Sequence, residues 1–401
     1  MGERVRLVVV AGLARDATGA VCDQLLHAAP GVEVVHHDLR GLRDGVVHRR
    51  TRTTTDESAK TLELAHGCVS CTLREDVLPL LARLARRAGT RRIVLHLDPA
   101  VEPEPVCAEL ATLADLVRVE AVLAVVDEGT WLADATSELC MDELAHRGLD
   151  VLPDDDRGLA QVAVNQVAFA DAVVLTGRAE DRWTAARTAA VLDRLVPAAP
   201  RARPDTGHAV LALLADLPPT ALRGRVEGAH APLLRGAPPL EPDCGVVLTL
   251  FTDRRPFHPR RLYEAIDVLL DGVVHTRGRA WVASQPDVAL WLESAGGGLR
   301  VGHAGTWLAT AGDETWEQAG AERRTKAALD WHPRFGDRTQ ELVILSHDAS
   351  PAAISAALRD ALLTDEELAA GEATWRTFSD PFDDWRADAG TPVTDSRKDT
   401  A

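Results

Sequence analysis

The stretch His66-Gly67-Cys68-Val69-Ser70-Cys71-Thr72, followed by Leu73-Arg74-Glu75-Asp76-Val77-Leu78-Pro79-Leu80-Leu81, organises the reading of this chain. Thr72 with Glu75 three positions on reads as a capping box, so a helix is expected there. Val77, Leu81 and Leu84 repeat at helical spacing. Gly89 reads as the stop, and Arg92–Leu97 as a buried strand. Cys68 and Cys71 then fall just ahead of a helix N-terminus, where partial positive charge favours thiolate over thiol. By spacing alone, the C-x-x-C pair is two small buried residues, a redox pair or half of a metal site.

Outward from that stretch, short apolar strands alternate with helices. Strands are expected at Arg4–Val10, Val32–Val35, Ile93–Leu97, Val119–Val126 and Ala172–Leu175. Helices are expected at Gly19–Ala29, Pro105–Leu116 and Trp183–Leu195. The polar run Arg49–Asp56 reads as an exposed loop. This alternation predicts an α/β fold with a mostly parallel sheet covered by helices on both faces. It fades after Pro204, and prolines and glycines crowd residues 217–243, which read as a linker. The predicted domains are therefore 1–216 and 244–387, with a disordered polar tail at 388–401. The second domain holds seven of the nine tryptophans and reads as a smaller α+β domain on a largely antiparallel sheet.

A chain of 401 residues suits two domains. A net charge of -17 argues against nucleic acid or an anionic membrane surface as partner. Six scattered cysteines, with no pairing pattern for Cys22, Cys107, Cys140 and Cys244, point to a reducing cytoplasm. No apolar run is long enough to span a membrane.

Several segments together resemble the CobW-like family of P-loop GTPases, some of whose members are metal chaperones or insertases. Gly67–Thr72 resembles the family's G-C-x-C-C-T signature, and Asn165–Asp171 its Q-x-x-x-A-D segment. Val125-Val-Asp127 resembles the end of the strand that follows the second phosphate motif. Arg255–Leu262, His275–Trp281, Phe335–Val343, Leu363–Leu368 and Asp380–Phe382 resemble successive parts of its C-terminal domain. The resemblance covers nearly the whole chain. It implies a P-loop NTPase-like first domain, with GTP and magnesium as cofactors and zinc or another divalent metal as cargo.

The departures bear on function. Where the family has G-x-x-x-x-G-K-[ST], this chain has Gly12-Leu-Ala-Arg-Asp-Ala-Thr-Gly19. Thr18 stands for the lysine that neutralises phosphate, and Gly19 for the hydroxyl that holds magnesium. Asp98 is the candidate acid of the second phosphate motif, whose glycine is missing. Thr176-Gly-Arg-Ala179 replaces the guanine-reading N-K-x-D. Gly12, Thr18, Gly19 and Asp98 therefore outline a degenerate nucleotide site. The metal motif keeps Cys68 and Cys71, with Ser70 in place of a third thiol. His66 and an acid, Glu63 or Asp76, are candidates to complete it. His36 and His37 read as a surface pair, and His258 as a capping or packing residue at a helix start.

These features predict a metal-binding chaperone or adaptor with a degenerate GTPase site, serving a metal-receiving client protein. The alternatives are an active GTPase using substitute residues and an interaction partner of an intact paralogue.

Overall fold

The computed structural model of the protein describes residues 4–64, 67–149, 155–382 and 393–395. The chain divides into two compact units, Met1–Val226 and Glu227–Ala401. The first carries strands β1 Val5–Ala11, β2 Val32–Asp38, β3 Val46–Arg52, β4 Glu57–Glu63, β5 Arg92–His96, β6 Val117–Asp127, β7 Ala172–Thr176 and β8 Arg201–Ala202. They form one sheet in the order β4-β3-β2-β5-β1-β6-β7-β8. The pairs from β2 through β8 are parallel, while β3 and β4 add an antiparallel hairpin at one edge.

The helices of this unit are α1 Arg15–Ala28, α2 Val69–Thr72, α3 Leu78–Ala85, α4 Pro103–Leu110, α5 Trp131–Ala135, α6 Leu159–Ala168, α7 Arg182–Leu195 and α8 Gly207–Ala215. Successive side chains of a strand point to opposite faces. Leu7 and Val9 on one face of β1, and Val8 and Val10 on the other, are all fully buried. Both faces of the sheet are therefore covered. Val21, Leu25 and Leu26 of α1, with Val210 and Leu213 of α8, pack against Val8, Val10 and Val34.

Several local expectations need correction. Only the second half of the run at 49–56 is a loop: residues 49–52 belong to β3, with Val34 paired to Arg52 and His37 to Arg49, and 53–56 turn the chain into β4. The edge of β2 presents backbone N–H and C=O groups that need partners whatever side chains the next strand carries. β4 is almost wholly exposed, so the hairpin has no apolar face to announce it. The helix at α1 begins at Arg15, ahead of Gly19. The helix expected to reach Leu116 ends at Leu110, in a short 3-10 turn over Ala111–Leu113. α3 ends at Ala85, and Gly89, at a φ of +96°, serves the following turn instead.

The second unit is an antiparallel sheet of β9 Val247–Asp253, β10 Val273–Ala280, β11 Val288–Ala295, β12 Gly298–Thr306, β13 Gln340–Ser346 and β14 Val393–Asp395. Their order is β14-β12-β11-β10-β13-β9. Leu262, Ile354 and Leu358, from helices α9 Pro259–Ala265 and Pro351–Ala361, pack with Leu342 and Ile344 of the sheet. The short strand β14 falls inside the tail expected to be disordered; the rest of 388–401 lies outside the described residues. Within 217–243, Arg223 N–H donates to Asp171 at 2.9 Å, while Arg279 takes the carbonyls of Ala229 and Ala231. Each end of that proline-rich stretch is thus tied to its own unit.

Candidate functional site

The start of α1 follows β1 directly, where a phosphate-binding loop would lie, and it is closed by its own side chains. Thr18 is fully buried, and its hydroxyl donates back to the Ala14 carbonyl at 2.9 Å. A Cβ on Gly12 would stand 2.8 Å from the Thr18 hydroxyl and 2.6 Å from the Val125 carbonyl. The Thr18 hydroxyl is therefore committed inside the turn. Gly19 has open space, with His96 Cε1 3.9 Å from an added Cβ, yet it brings no oxygen to a metal. The phosphates of a nucleotide would therefore find no lysine amine at this position, and its magnesium no hydroxyl ligand.

Asp98, just past β5, has a fully buried carboxylate, and every bond it makes is internal. Its Oδ2 accepts from Arg15 Nη1 at 3.0 Å and from the Leu39 amide at 3.2 Å. Its Oδ1 accepts from the Ala100 amide at 3.2 Å. A buried carboxylate needs such compensation to stay charged. The second Arg15 nitrogen reaches the Gly148 carbonyl at 3.4 Å. Arg15 therefore lies at the site, with its guanidinium on the Asp98 carboxylate.

Beside α1, a cavity of about 650 Å³ opens under the β3–β4 hairpin, with walls that include Arg15, Gly19, His36, Asp38, Arg40 and His96. His36 and His96 stack with ring centroids 4.2 Å apart, and His36 Nδ1 bonds the His96 carbonyl at 3.1 Å. Burial, then the neighbouring His36, then Arg15 push the His96 imidazole down to about 3. Burial raises the Asp38 carboxyl, but the hydrogen bonds from Arg40 outweigh it and hold the group at about 2.

The helix at the cysteine segment begins earlier than the capping box implies. Cys68 is the N-cap, and its Sγ accepts the Cys71 amide at 2.9 Å. Thr72 is buried inside the turn, where its hydroxyl donates to the Cys68 carbonyl at 3.1 Å. One cysteine therefore caps the helix and the other sits in its first turn. Their Cα atoms are 5.2 Å apart, and the two sulfurs are joined as a disulfide. Both residues are half-buried and Ser70 is exposed. Gly67 is required by space, because a Cβ there would stand 2.1 Å from the Leu42 carbonyl. His66 lies outside the described residues.

Two further readings change here. His37 is buried, and its Nε2 bonds Asp76 Oδ2 at 2.8 Å; Arg49 holds the other oxygen at 2.7 Å. Asp76 is thus committed to a structural chain and is a poor ligand candidate. His36 and His37 are no surface pair: one stacks in the cavity and the other packs beneath the cysteine helix, sharing a cavity of about 30 Å³ with Val69, Thr72 and Leu73. Alternation along β2 sends the two rings to opposite faces. Among the described residues, no third histidine, cysteine or carboxylate stands within ligand distance of both sulfurs. A closed structural zinc site takes four ligands. Two sulfurs alone fall short of that count among the described residues.

The remaining motifs are structural. Gln166 Nε2 donates to the carbonyls of Pro99 and Val101, and Asn165 to Glu102, so α6 braces the loop after β5. Asp171 accepts the Val122 and Arg223 amides. In the second unit, Gln340 bonds both backbone groups of Trp281 and the Arg255 carbonyl, linking three separate motifs. Arg338 lies 4.6 Å over the Trp281 ring, and Asp337 accepts two backbone amides, from Leu308 and Ala309. His258 caps α9 as expected.

Known protein families match both units of the chain. The family model for the CobW/HypB/UreG nucleotide-binding domain matches residues 44–201, beginning beyond Gly12–Gly19. The model for the cobalamin synthesis protein cobW C-terminal domain matches residues 246–362. A Mycobacterium tuberculosis protein named zinc chaperone is 43% identical over 406 residues, covering 96% of this chain and 94% of the relative. A Dictyostelium discoideum protein named zinc-regulated GTPase metalloprotein activator 1 is 26% identical over 350 residues, covering 83% of this chain and 72% of the relative. The solved zinc(II)-bound YjiA GTPase of E. coli aligns at 14% identity and a TM-score of 0.38, over 90% of this chain and 100% of that one. With both domain models matched in order and a 43% identical relative spanning almost its full length, the chain belongs to the CobW family.

Proposed function

We propose that this protein is a zinc-handling chaperone that carries its metal on Cys68 and Cys71 and passes it to a client protein. One observation carries the reading: two cysteine sulfurs stand side by side at a half-exposed helix start, with no further histidine, cysteine or carboxylate beside both of them among the described residues. The helix N-terminus favours the thiolate form that zinc takes. His66, two residues upstream, supplies a further donor. Open positions suit release, because an incoming ligand from a client can enter before a thiolate leaves. The relative named zinc chaperone supports the choice of metal. The disulfide form holds no metal, so loading requires the reduced pair. The setting is the reducing cytoplasm.

The same reading makes the α1 start a retired GTPase site, with binding of GTP and magnesium lost together with hydrolysis. Each lost charged contact costs on the order of 2–4 kcal/mol, enough to turn micromolar affinity into millimolar when two are lost.

Cobalt(II) titration of the reduced protein tests the metal assignment. Thiolate charge-transfer absorption is expected, lost in Cys68→Ser and in Cys71→Ser. Ser70→Cys should tighten binding by adding a thiolate at an exposed position of the same turn. A reduced wild type without the band sinks the proposal. Calorimetry with GTP and magnesium should show no saturable binding below about 10 µM.

A further inference from the structure

In nucleotide switches, a bound phosphate and its magnesium order the loops that contact them. Here a salt bridge of the chain itself stands between the corresponding elements. We infer that Arg15 is a positioning residue: its pair with Asp98 fixes the turn that seats the cysteine segment, so Cys68 and Cys71 are presented without any nucleotide. The inference rests on the reading of that pair as the metal site.

The path is continuous. Arg15, the first residue of α1, bonds Asp98 at 3.0 Å, and the Asp98 side chain has no solvent exposure. The same oxygen accepts the Leu39 amide at 3.2 Å, at the end of β2. Leu39 opens a tight turn: its carbonyl accepts the Leu42 amide at 2.8 Å, and the Leu42 carbonyl accepts the Gly45 amide at 2.9 Å. Gly45 returns a bond to the Leu64 amide at 2.8 Å, just ahead of the cysteine segment. That Leu42 carbonyl is also the atom against which Gly67 sits so closely that no Cβ fits. Gly67 leads directly into the Cys68 cap. Meanwhile Asp98 Oδ1 holds the Ala100 amide, ordering the loop after β5.

One carboxylate thus gathers α1, the turn after β2 and the loop after β5, the three elements that a phosphate with its metal would gather in a switch protein. Arg15 supplies the positive charge. Because both partners are covalent parts of the chain, nothing dissociates and the arrangement has no off state.

The test uses the full-length reduced protein, with cobalt(II) as probe and hydrogen exchange followed by mass spectrometry. Wild-type cobalt affinity should be the same with and without GTP and magnesium. Arg15→Met and Asp98→Asn should each weaken cobalt binding on the order of tenfold, the usual scale for losing an orienting partner of a metal site. Exchange should rise across residues 39–45 and 98–101. Arg15→Lys should recover most of the affinity, and the double variant should be no weaker than either single one. The thermal midpoint is the control for fold, and Arg15→Met, altering a partly exposed helix-start residue, gives the measurement if Asp98→Asn does not fold. Folded variants with wild-type cobalt affinity and unchanged exchange at 39–45 overturn the inference. So does cobalt affinity that rises with GTP and magnesium. If wild type gives no cobalt band, the metal reading fails, while the exchange measurement still decides whether Arg15 holds the turn.

Discussion

Two helix starts in the first unit show how one local device serves opposite ends. At α1, the N-cap Ala14 brings no side-chain acceptor, while Thr18 donates to the Ala14 carbonyl and Arg15 donates to Asp98. At α2, the cap is a sulfur, and the next sulfur of the segment lies one turn along beside it. An orphan amide at a helix start must find an acceptor, but the acceptor need not be oxygen. Where that acceptor is a half-exposed thiolate-forming residue, as at Cys68, the cap is a ligand of the proposed metal site. Where, as at α1, the cap is an alanine and the nearby polar side chains donate to groups of the chain, the start offers no side-chain ligand to a metal.

The largest test of this contrast is Gly67→Ala. A methyl group 2.1 Å from a backbone carbonyl cannot be accommodated by a side-chain shift, so the segment must move away from the 39–45 turn. Destabilisation of about 2–4 kcal/mol is expected. Cobalt absorption in the reduced protein should weaken with it, because the cap loses its seat. Urea denaturation and the cobalt titration check the two effects separately. Wild-type values in both would show that the turn does not support the cysteine segment.

Acid gives the next test, on the α1 side. His96 titrates at about 3 when folded, against an ordinary value near 6.5. Between those values the unfolded chain binds a proton that the folded chain refuses. Stability therefore rises with pH through this window and is lost as pH falls, by about 1.4 kcal/mol for each pH unit below about 6. Asp38, held at about 2, adds its own loss once pH drops below its ordinary value near 3.8. Denaturation midpoints at pH 4 and 7 should therefore differ more in wild type than in His96→Gln. Equal slopes would mean that the buried stack is not what acid attacks.

Much of this was legible in the sequence. The apolar runs of β1, β5, β6 and β7 announce a doubly covered parallel sheet, because only burial on both faces asks for unbroken valine and leucine. The motifs of the second unit are legible for another reason: Gln340, Trp281 and Arg255 each meet a fixed backbone geometry. The β3–β4 hairpin was not legible, because its side chains are polar and its reason for existing is the backbone edge of β2. The Cys68 cap was missed because a threonine four residues further along offered a better-known acceptor. The Arg15–Asp98 pair joins residues 83 positions apart, so no local pattern encodes it.

The smallest effect is the most discriminating. Gly19 sits inside α1, where glycine costs about 0.5–1 kcal/mol relative to alanine through backbone entropy. In a working phosphate loop this position carries the magnesium ligand, and its neighbours constrain any change. Here an added Cβ meets nothing closer than His96 Cε1 at 3.9 Å, an ordinary contact distance. Gly19→Ala should therefore raise stability by about 0.5–1 kcal/mol, seen as a higher urea midpoint with an unchanged slope. Cobalt affinity of the reduced protein should not move, because Gly19 makes no bond in the path from Arg15 through Asp98 to Leu39. The opposite result is specific. A Gly19→Ala protein that loses stability needs the bare backbone at this point, and the cavity beside α1 would then be a site in use. A gain in stability with cobalt binding intact leaves the cysteine helix as the one of the two starts that works on metal.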